Sequence, residues 1–248
     1  MGRFTGKRIL ITGGTSGMGL AGAKMIVDEG GEVGVTGTSQ DHLDEAGRSL
    51  PPESLVLRND ASDPAAAQEL AERAKDMGGL DGLWLNAGFG KFEPNEDVTS
   101  DTFDAMNNVN VRGPVLQMAK LIPHLNKDAS VVVTASVSPY LGQAQGAVYA
   151  ATKAAVTALV RSWAAALAEK NIRVNSIAPG PIETNFFDGM DLSEDEIENF
   201  SDMIKEQVPL GRFGTAEESA QVALFLLSDH ASYVTGSQYM VDGGMTMR

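Results

Sequence analysis

A serine, a tyrosine and a lysine lie close together in the middle of this sequence. Ser136 precedes Tyr149 by thirteen residues, and Lys153 follows Tyr149 by four. Four residues make about one helical turn, so Tyr149 and Lys153 are expected on one helix face. A nearby ammonium favours the ionised phenol and would bring the Tyr149 pKa down from about 10. The three side chains therefore suit proton transfer to a carbonyl or alcohol oxygen held by the Ser136 hydroxyl.

The spacing of Tyr149 and Lys153 also has an ordinary interpretation. A tyrosine and a lysine one turn apart can simply lie on a solvated helix face. The pair by itself leaves both interpretations open, and the decision depends on which other motifs the chain carries.

A glycine-rich turn near the N-terminus is one such motif. Arg8–Thr12 is a short apolar strand, Gly13–Gly19 follows it directly, and a helical pattern then runs from Leu20 to Glu29. Glycines permit a close backbone approach, and the free N–H groups of a helix start favour a bound pyrophosphate. The spacing Gly-x3-Gly-x-Gly differs from the dinucleotide fingerprint Gly-x-Gly-x-x-Gly, so a purely structural turn remains an alternative for this segment alone.

Taken together, six segments resemble the short-chain dehydrogenase/reductase family, in the order and at the spacing of that family. They are Thr12–Gly19, Leu85–Gly88, Asn110, Ser136, Tyr149 with Lys153, and Pro179–Thr184. The resemblance covers essentially the whole chain. It implies an oxidoreductase in which a nicotinamide cofactor carries the hydride and the protein supplies positioning and a proton.

The resemblance also implies roles for individual residues. Tyr149 would be the general acid in reduction and the base in oxidation, and Ser136 would orient the substrate oxygen. Lys153 would hold the nicotinamide ribose and lower the Tyr149 pKa, while Asn110 would support a water-linked proton path. The implied cofactor contacts are Gly13, Thr15, Ser16, Gly17, Met18, Gly37, Thr38, Ser39, Asp60, Ala61, Asn86, Ala87, Gly88, Tyr149, Lys153, Pro179, Gly180, Ile182 and Thr184.

The cofactor preference is expected to depend on the end of the second strand. A carboxylate there would bind the ribose 2′-OH of NAD, and a nearby cation would accommodate the 2′-phosphate of NADP. Gly37 stands where the acid belongs, and Thr38 and Ser16 stand where NADP enzymes of the family often carry basic residues. Because nothing there repels a phosphate and Thr38 and Ser39 can donate hydrogen bonds, NADP(H) is favoured, with NAD(H) as the alternative.

Strands and helices alternate along the whole chain. Strands are predicted at 8–12, 32–36, 54–58, 82–86, 130–135, 172–178 and 237–241, and helix starts at Asp63-Pro64, Ser193-x-x-Glu196 and Thr215-x-x-Glu218. The pattern predicts an α/β fold, with a single doubly wound parallel sheet of Rossmann type and helices on both faces. Gly13, Asn86, Ser136 and Pro179 all follow strands, so they should meet at one edge of the sheet.

Composition limits the classes of function. The formal net charge is −14, from 33 acidic and 19 basic residues, which disfavours nucleic acid and anionic membranes as partners. With no cysteine, thiol nucleophiles and disulfides are excluded. The three histidines are scattered, so no metal site is expected. No apolar run reaches the roughly 18 residues of a membrane span and no leader is seen, so a cytoplasmic protein is expected.

The substrate is the least determined feature. One domain over 1–248 is expected, with a substrate lid at about 185–210 and pocket walls from Phe89–Phe92 and Pro139–Gln145. The lid region is rich in acids, which favours a small neutral ketone or secondary alcohol over an anionic substrate. The alternatives are a 3-ketoacyl-thioester reductase and a catalytically silent dinucleotide-binding regulator. By resemblance the chain would form a homotetramer or homodimer through Asp101–Leu121 and Ala147–Lys170.

Overall fold

Parallel strands dominate the computed structural model, which describes residues 2–183 and 194–247. Within that part of the chain the strands are β1 (Arg8–Thr12), β2 (Glu32–Gly37), β3 (Leu55–Arg58), β4 (Leu80–Leu85), β5 (Leu125–Thr134), β6 (Arg173–Pro179), β7 (Ile182–Glu183), β8 (Gly214–Thr215) and β9 (Gln238–Val241). Seven of them form one sheet in the order β3-β2-β1-β4-β5-β6-β9, and β7 pairs separately with β8. All the pairings are parallel, so the predicted doubly wound sheet is confirmed.

Helices connect the strands and cover both faces of the sheet. They are α1 (Gly17–Asp28), α2 (Gln40–Ser49), α3 (Ala66–Asp76), α4 (Ser100–Asn107), α5 (Gly113–Leu121), α6 (Ser138–Leu141), α7 (Ala147–Leu167), α8 (Glu194–Gln207) and α9 (Ala216–Leu227). None of the helices described here is long and apolar enough to cross a lipid bilayer.

The predicted helix starts have different outcomes. At α9 the capping box is confirmed, because the Thr215 hydroxyl accepts from the Glu218 N–H and the Glu218 carboxylate accepts from the Thr215 N–H. The start predicted at Asp63-Pro64 is wrong. Asp63 instead accepts from the N–H of Ala65 at 2.8 Å and forms a turn ahead of α3. The capping box predicted at Ser193 lies outside the described residues.

Two strands are longer than predicted. β4 begins at Leu80 and β5 at Leu125, where the two strands pair before their register shifts. The first residues of β5 include the exposed Lys127 and Asp128, so an apolar pattern could not reveal them.

The sheet separates two hydrophobic cores. Leu83, Val131 and Val174 belong to the core on one face, while Ile11, Trp84 and Ile177 belong to the core on the other. Because the strands are parallel, their carboxyl ends share one edge. The strand order reverses between β1 and β4, and in open α/β sheets this switch point is where a ligand crevice forms.

Candidate active site

Ser136, Tyr149 and Lys153 meet beside the carboxyl end of β5. Ser136 follows β5 directly, and Tyr149 and Lys153 lie in the first two turns of α7. The Lys153 ammonium donates to the backbone carbonyl of Thr134 at 3.0 Å and lies 5.7 Å from the centre of the Tyr149 ring. Ser136 and Ser138 place their hydroxyl oxygens 3.1 Å apart. The spacing predicted from the sequence therefore produces one cluster.

Burial dominates the acid–base properties of this cluster. It raises the pKa of Tyr149, and a hydrogen bond with Ser136 opposes that rise. Burial also lowers the pKa of Lys153 to about 8. The expectation that the Tyr149 pKa lies below its usual value is therefore wrong for the folded chain. The cost of ionising a buried phenol is the larger effect, and the lysine donates to a backbone carbonyl instead of the phenol oxygen.

Asn110 lies in a single π-helical turn, Asn108–Arg112, between α4 and α5. The sequence indicated a helical segment here, and the wider turn is new information; such turns recur at functional sites. The Asn110 side chain accepts from the Phe89 N–H at 3.0 Å and donates to the Phe89 carbonyl at 2.8 Å and the Thr152 hydroxyl at 3.1 Å. Its amide thus holds the loop after β4 against α7, and its part in a proton path stays a prediction.

Gly88 is where this loop comes closest to the cluster. A Cβ at Gly88 would lie 3.0 Å from the Lys153 amine and 3.1 Å from Asn110 Oδ1. Asn86, two residues earlier, donates to the Gly13 carbonyl at 3.0 Å and accepts from the Thr134 hydroxyl at 2.9 Å. The segment after β4 therefore joins the turn after β1 to the cluster of Ser136, Tyr149 and Lys153 across the switch point.

The turn after β1 has the form that a pyrophosphate requires. Gly13 and Gly17 have φ values of 62° and 50°, in the left-handed region that glycine adopts readily. Ser16 caps α1 without a side-chain hydrogen bond, and the first turn of α1 carries no acid. The first N–H groups of α1 therefore remain available to an anion, so the residues present fit a dinucleotide. Thr15 and Met18 complete this turn.

The end of β2 is built differently from the expectation. Gly37 lies against Thr15, which is 4% exposed, and a Cβ at Gly37 would overlap the Thr15 hydroxyl. The space of the family's carboxylate is therefore already filled. Thr38 and Ser39 are exposed, and Ser39 caps α2 without a side-chain hydrogen bond.

Arg58 brings a cation to this end of the crevice, where the sequence had suggested none. Its guanidinium donates to the Thr38 carbonyl at 2.6 Å and to the Gln40 side chain at 2.8 Å. Arg58 is the last residue of β3 and lies in register with Gly37. That register is the one signal from which it could have been found, because strand ends on the same edge come together.

The remaining predicted contacts lie along the same edge of the sheet. Asp60 and Ala61 follow β3, and the Asp60 carboxylate accepts from the Ser62 N–H at 2.8 Å, as a loop cap would. Ala87 donates its N–H to the Thr12 hydroxyl at 3.2 Å. Pro179, Gly180 and Ile182 follow the same edge at the end of β6 and in β7. Thr184 and the first part of the predicted lid lie outside the described residues.

The chain matches a family model described as enoyl-(acyl carrier protein) reductase over residues 13–246. It is 35% identical to a 3-oxoacyl-[acyl-carrier-protein] reductase, FabG, of Thermotoga maritima, across 99% of this chain and 100% of that one. It is 33% identical to a glucose 1-dehydrogenase of Gluconobacter oxydans, across 99% and 94%. These descriptions agree on oxidoreduction and differ in substrate.

A solved structure resembles the fold over almost its full length. A short-chain dehydrogenase of Burkholderia cenocepacia in complex with NADP matches with a TM-score of 0.89 and 28% sequence identity, covering 98% of this chain and 99% of that one. The likeness therefore includes every strand that carries the site described above.

Proposed function

The chain belongs to the short-chain dehydrogenase/reductase family and is an NAD(P)-dependent oxidoreductase, and on that premise we propose how its own residues divide the work. The reaction moves a hydride between a nicotinamide cofactor and a ketone or secondary alcohol. In our proposal Tyr149 transfers the proton, Ser136 holds the substrate oxygen, and Lys153 with Asn110 supports them.

One observation carries this proposal: Tyr149 lies beside the buried Lys153 amine, next to the end of the strand that Ser136 follows. Ser136 favours the ionised Tyr149 phenol by hydrogen bonding, and we propose that a substrate carbonyl oxygen accepts from both hydroxyls. Lys153 is 4% exposed, and its lowered pKa of about 8 lets its charge respond to ligands near neutral pH. A bound nicotinamide supplies the hydride, and Tyr149 gives the product oxygen its proton.

We propose NADP(H) as the preferred cofactor. Thr15 fills the space beside Gly37 where a carboxylate for the 2′-OH would stand. The Arg58 guanidinium uses one hydrogen bond on the Thr38 carbonyl and one on Gln40, and a guanidinium has five N–H donors. The Ser39 hydroxyl and the free N–H groups at the start of α2 add uncharged donors. Together these groups favour a phosphate monoester at the ribose 2′ position.

For the substrate we propose a small neutral ketone or its alcohol. The pocket wall after β4 includes Phe89, which is 42% exposed, and the region of the proposed lid from Asn185 to Gln207 holds Lys205 as its one lysine or arginine. Apolar walls and an acidic surround suit an uncharged carbonyl compound. The second candidate is a 3-ketoacyl thioester, which the FabG likeness favours.

Initial rates test these assignments directly. Cyclohexanone, acetophenone and acetoacetyl-coenzyme A would each be offered with NADPH and with NADH. The proposal expects the uncharged ketones to have the higher kcat/KM and NADPH to be preferred. A higher kcat/KM for acetoacetyl-coenzyme A would support the thioester candidate. A preference for NADH of ten-fold or more would reject the cofactor assignment.

Assembly, domain organisation and location complete the proposal. One of the two segments expected to join subunits, Asp101–Leu121, contains the exposed side chains Phe103, 49% exposed, and Val115, 36% exposed. Burial of such apolar surface between subunits would stabilise a homotetramer or homodimer, and light scattering coupled to size-exclusion chromatography measures the oligomeric state.

We also propose a single domain over residues 1–248 with a lid at about 185–210, and a cytoplasmic location.

A further inference from the structure

Phe92 packs directly against the tyrosine at the centre of the site. The ring centres of Phe92 and Tyr149 are 5.4 Å apart and their planes meet at 59°. This separation falls in the range of favourable aromatic pairs, and the two rings are tilted relative to each other. Phe92 therefore shields the part of the Tyr149 ring that it contacts.

Two glycines leave the space that the Phe92 ring fills. A Cβ at Gly146, which has φ +96° and directly precedes α7, would lie 2.7 Å from Phe92 Cδ1. A Cβ at Gly90 would lie 3.1 Å from Phe92 Cε2 and 3.2 Å from Tyr149 Cδ2. The phenylalanine thus occupies the junction of two loops with the start of α7, and a methyl group at Gly90 or Gly146 would crowd its ring.

The loop that carries Phe92 is held at several points. Asn110 binds both backbone groups of Phe89, as described above. Lys91 donates to the Thr102 hydroxyl at 3.0 Å and pairs with Glu93 at 2.7 Å. Asn95 donates to the Ala144 carbonyl at 3.4 Å, across the gap between the two loops. A ring held this way can determine the position of its neighbour.

We propose that Phe92 is a positioning residue for proton transfer: it fixes the orientation of the Tyr149 ring and keeps water from the part of the ring that it contacts. The inference rests on the proposed role of Tyr149 and goes beyond it by naming what holds that residue in place. Rate depends steeply on such geometry, and a misplacement of about 1 Å can cost on the order of a hundred-fold.

The same arrangement predicts a change in pH dependence. In the described part of the chain, the charged group that faces Tyr149 is Lys153, which lies on the same helix. Ser136, after β5, is neutral. The charged residues on the Phe92 loop, Lys91 and Glu93, form an ion pair with each other. Burial is the main cause of the raised Tyr149 pKa, so removing the Phe92 ring should lower that pKa. Reduction needs the protonated phenol, and its alkaline limb should therefore move to lower pH.

Phe92→Ala and Phe92→Leu test the inference, with cyclohexanone as the probe substrate. The second readout is the near-ultraviolet absorbance of the Tyr149 phenolate, taken as the difference from the same protein carrying Tyr149→Phe. We expect Phe92→Ala to lower kcat by about ten- to a hundred-fold, with dinucleotide Kd unchanged and the Tyr149 titration moved to lower pH. Phe92→Leu should lie between this variant and the parent. The matched control is Phe225→Ala on α9, which removes a ring that lies 6.2 Å from that of Tyr239 and belongs to a different aromatic pair.

A pair of double variants separates positioning from loss of packing. Gly90→Ala should also lower kcat, because its methyl group would crowd both rings. Gly90→Ala/Phe92→Leu should recover part of that loss, since the smaller leucine makes room for the methyl group. Tyr149→Phe/Phe92→Ala should be no slower than Tyr149→Phe, because the positioned hydroxyl is already absent.

The failures of the two proposals are distinguishable. If Tyr149→Phe retains activity, the assignment of the proton donor fails and this inference fails with it. If Tyr149→Phe is inactive while Phe92→Ala keeps the parent kcat and phenol titration, Tyr149 stands and the role of Phe92 is rejected. A loss in Phe92→Ala no larger than that in Phe225→Ala also rejects it.

Discussion

The two ends of the crevice are built in different ways. At the end proposed to carry out catalysis, called the catalytic end below, the supporting side chains are buried, with Asn110 1%, Lys153 4% and Ser136 6% exposed. They hydrogen-bond to the backbone or to neighbouring hydroxyls. At the end of β2 that is proposed to hold the ribose, Thr38 and Arg58 are exposed, and the arginine braces a carbonyl.

This difference determines how strongly each end responds to change. Electrostatic and hydrogen-bond effects are large in a buried site and weak where water and salt screen them. Substitutions at the catalytic end should therefore cost orders of magnitude and resist salt. Changes beside Arg58 should alter the cofactor preference by smaller factors that depend on salt.

The largest effect is expected at Tyr149. Tyr149→Phe removes the proposed proton donor and should lower kcat by a factor on the order of 10² to 10⁴, while dinucleotide Kd stays nearly unchanged. Steady-state rates with cyclohexanone and equilibrium binding of NADP⁺ measure the two quantities. Tyr233→Phe, at a fully exposed tyrosine, is the matched control. If the Tyr149→Phe enzyme keeps most of its activity, the assignment of Tyr149 is wrong and the larger effects expected at the catalytic end are not supported.

Much of the catalytic end could be predicted from the sequence because its geometry is local. One helical turn joins Tyr149 to Lys153, and parallel strands bring Ser136 and Asn86 to the same edge. The direction of the Tyr149 pKa could not be predicted, because burial depends on neighbours such as Phe92 from a distant loop. The π-helical turn at Asn110 likewise has no spacing signal of its own.

The opposite end of the crevice depends on contacts between segments that no local motif reveals. Gly37 and Thr38 are predicted to select the cofactor, but the side chains around them come from other segments of the chain. Arg58 looks like an ordinary exposed strand end until the register places it opposite Gly37. Thr15 belongs to the glycine turn, and only the folded chain shows that its side chain fills the space beside Gly37.

A second test asks what the buried lysine costs. The pKa of Lys153 is about 8 in the folded chain against 10.5 for an ordinary lysine. Below pH 8 the amine is charged in both states and the full cost of burial is present. As pH rises from about 8 to 10.5 the folded state releases its proton first, so stability increases. Lys153→Met should therefore raise the unfolding free energy at pH 7 and lose this advantage near pH 10.5.

The size of that gain follows from the pKa difference. Each pKa unit is worth about 1.4 kcal/mol, and the lost hydrogen bond to Thr134 offsets about 1 kcal/mol, so a net gain of about 2 kcal/mol is expected. Urea unfolding at pH 7 and pH 10 measures it, with Lys24→Met as the control at an exposed lysine. An equal gain at both pH values would show that packing, and not buried charge, is responsible.

The third test uses the steric contact between Thr15 and Gly37. Gly37→Asp alone should be poorly tolerated, because its Cβ would overlap the Thr15 hydroxyl, and such overpacking typically costs about 1–3 kcal/mol. Thr15→Ala/Gly37→Asp frees the space, so the carboxylate can accept from the ribose 2′-OH and repel a 2′-phosphate. The preference between NADPH and NADH in kcat/KM should then shift towards NADH by ten-fold to several-hundred-fold.

Thr15→Ala by itself is the control for that shift. It should leave the preference close to that of the parent enzyme, because it adds no charge. If Thr15→Ala alone favours NADH as strongly as the double variant does, the threonine is a direct contact of the phosphate and the steric explanation is wrong.

The smallest effect is expected at Arg58. Arg58→Gln keeps a donor for the Thr38 carbonyl and removes the charge, so it should weaken binding of 2′,5′-ADP by about three- to ten-fold and leave 5′-ADP unaffected. Because an exposed charge pair is screened, the salt dependence of 2′,5′-ADP binding should also become shallower. Calorimetric titrations of both nucleotides at two salt concentrations measure these quantities without any substrate.

Arg48→Gln, at a nearby exposed arginine on α2, separates a specific contact from a general change in surface charge. Equal losses of 2′,5′-ADP affinity in Arg58→Gln and Arg48→Gln would mean that Arg58 makes no specific contact with the phosphate. The end of β2 would then attract the phosphate only through its overall positive charge, in contrast to the specific contacts of the catalytic end.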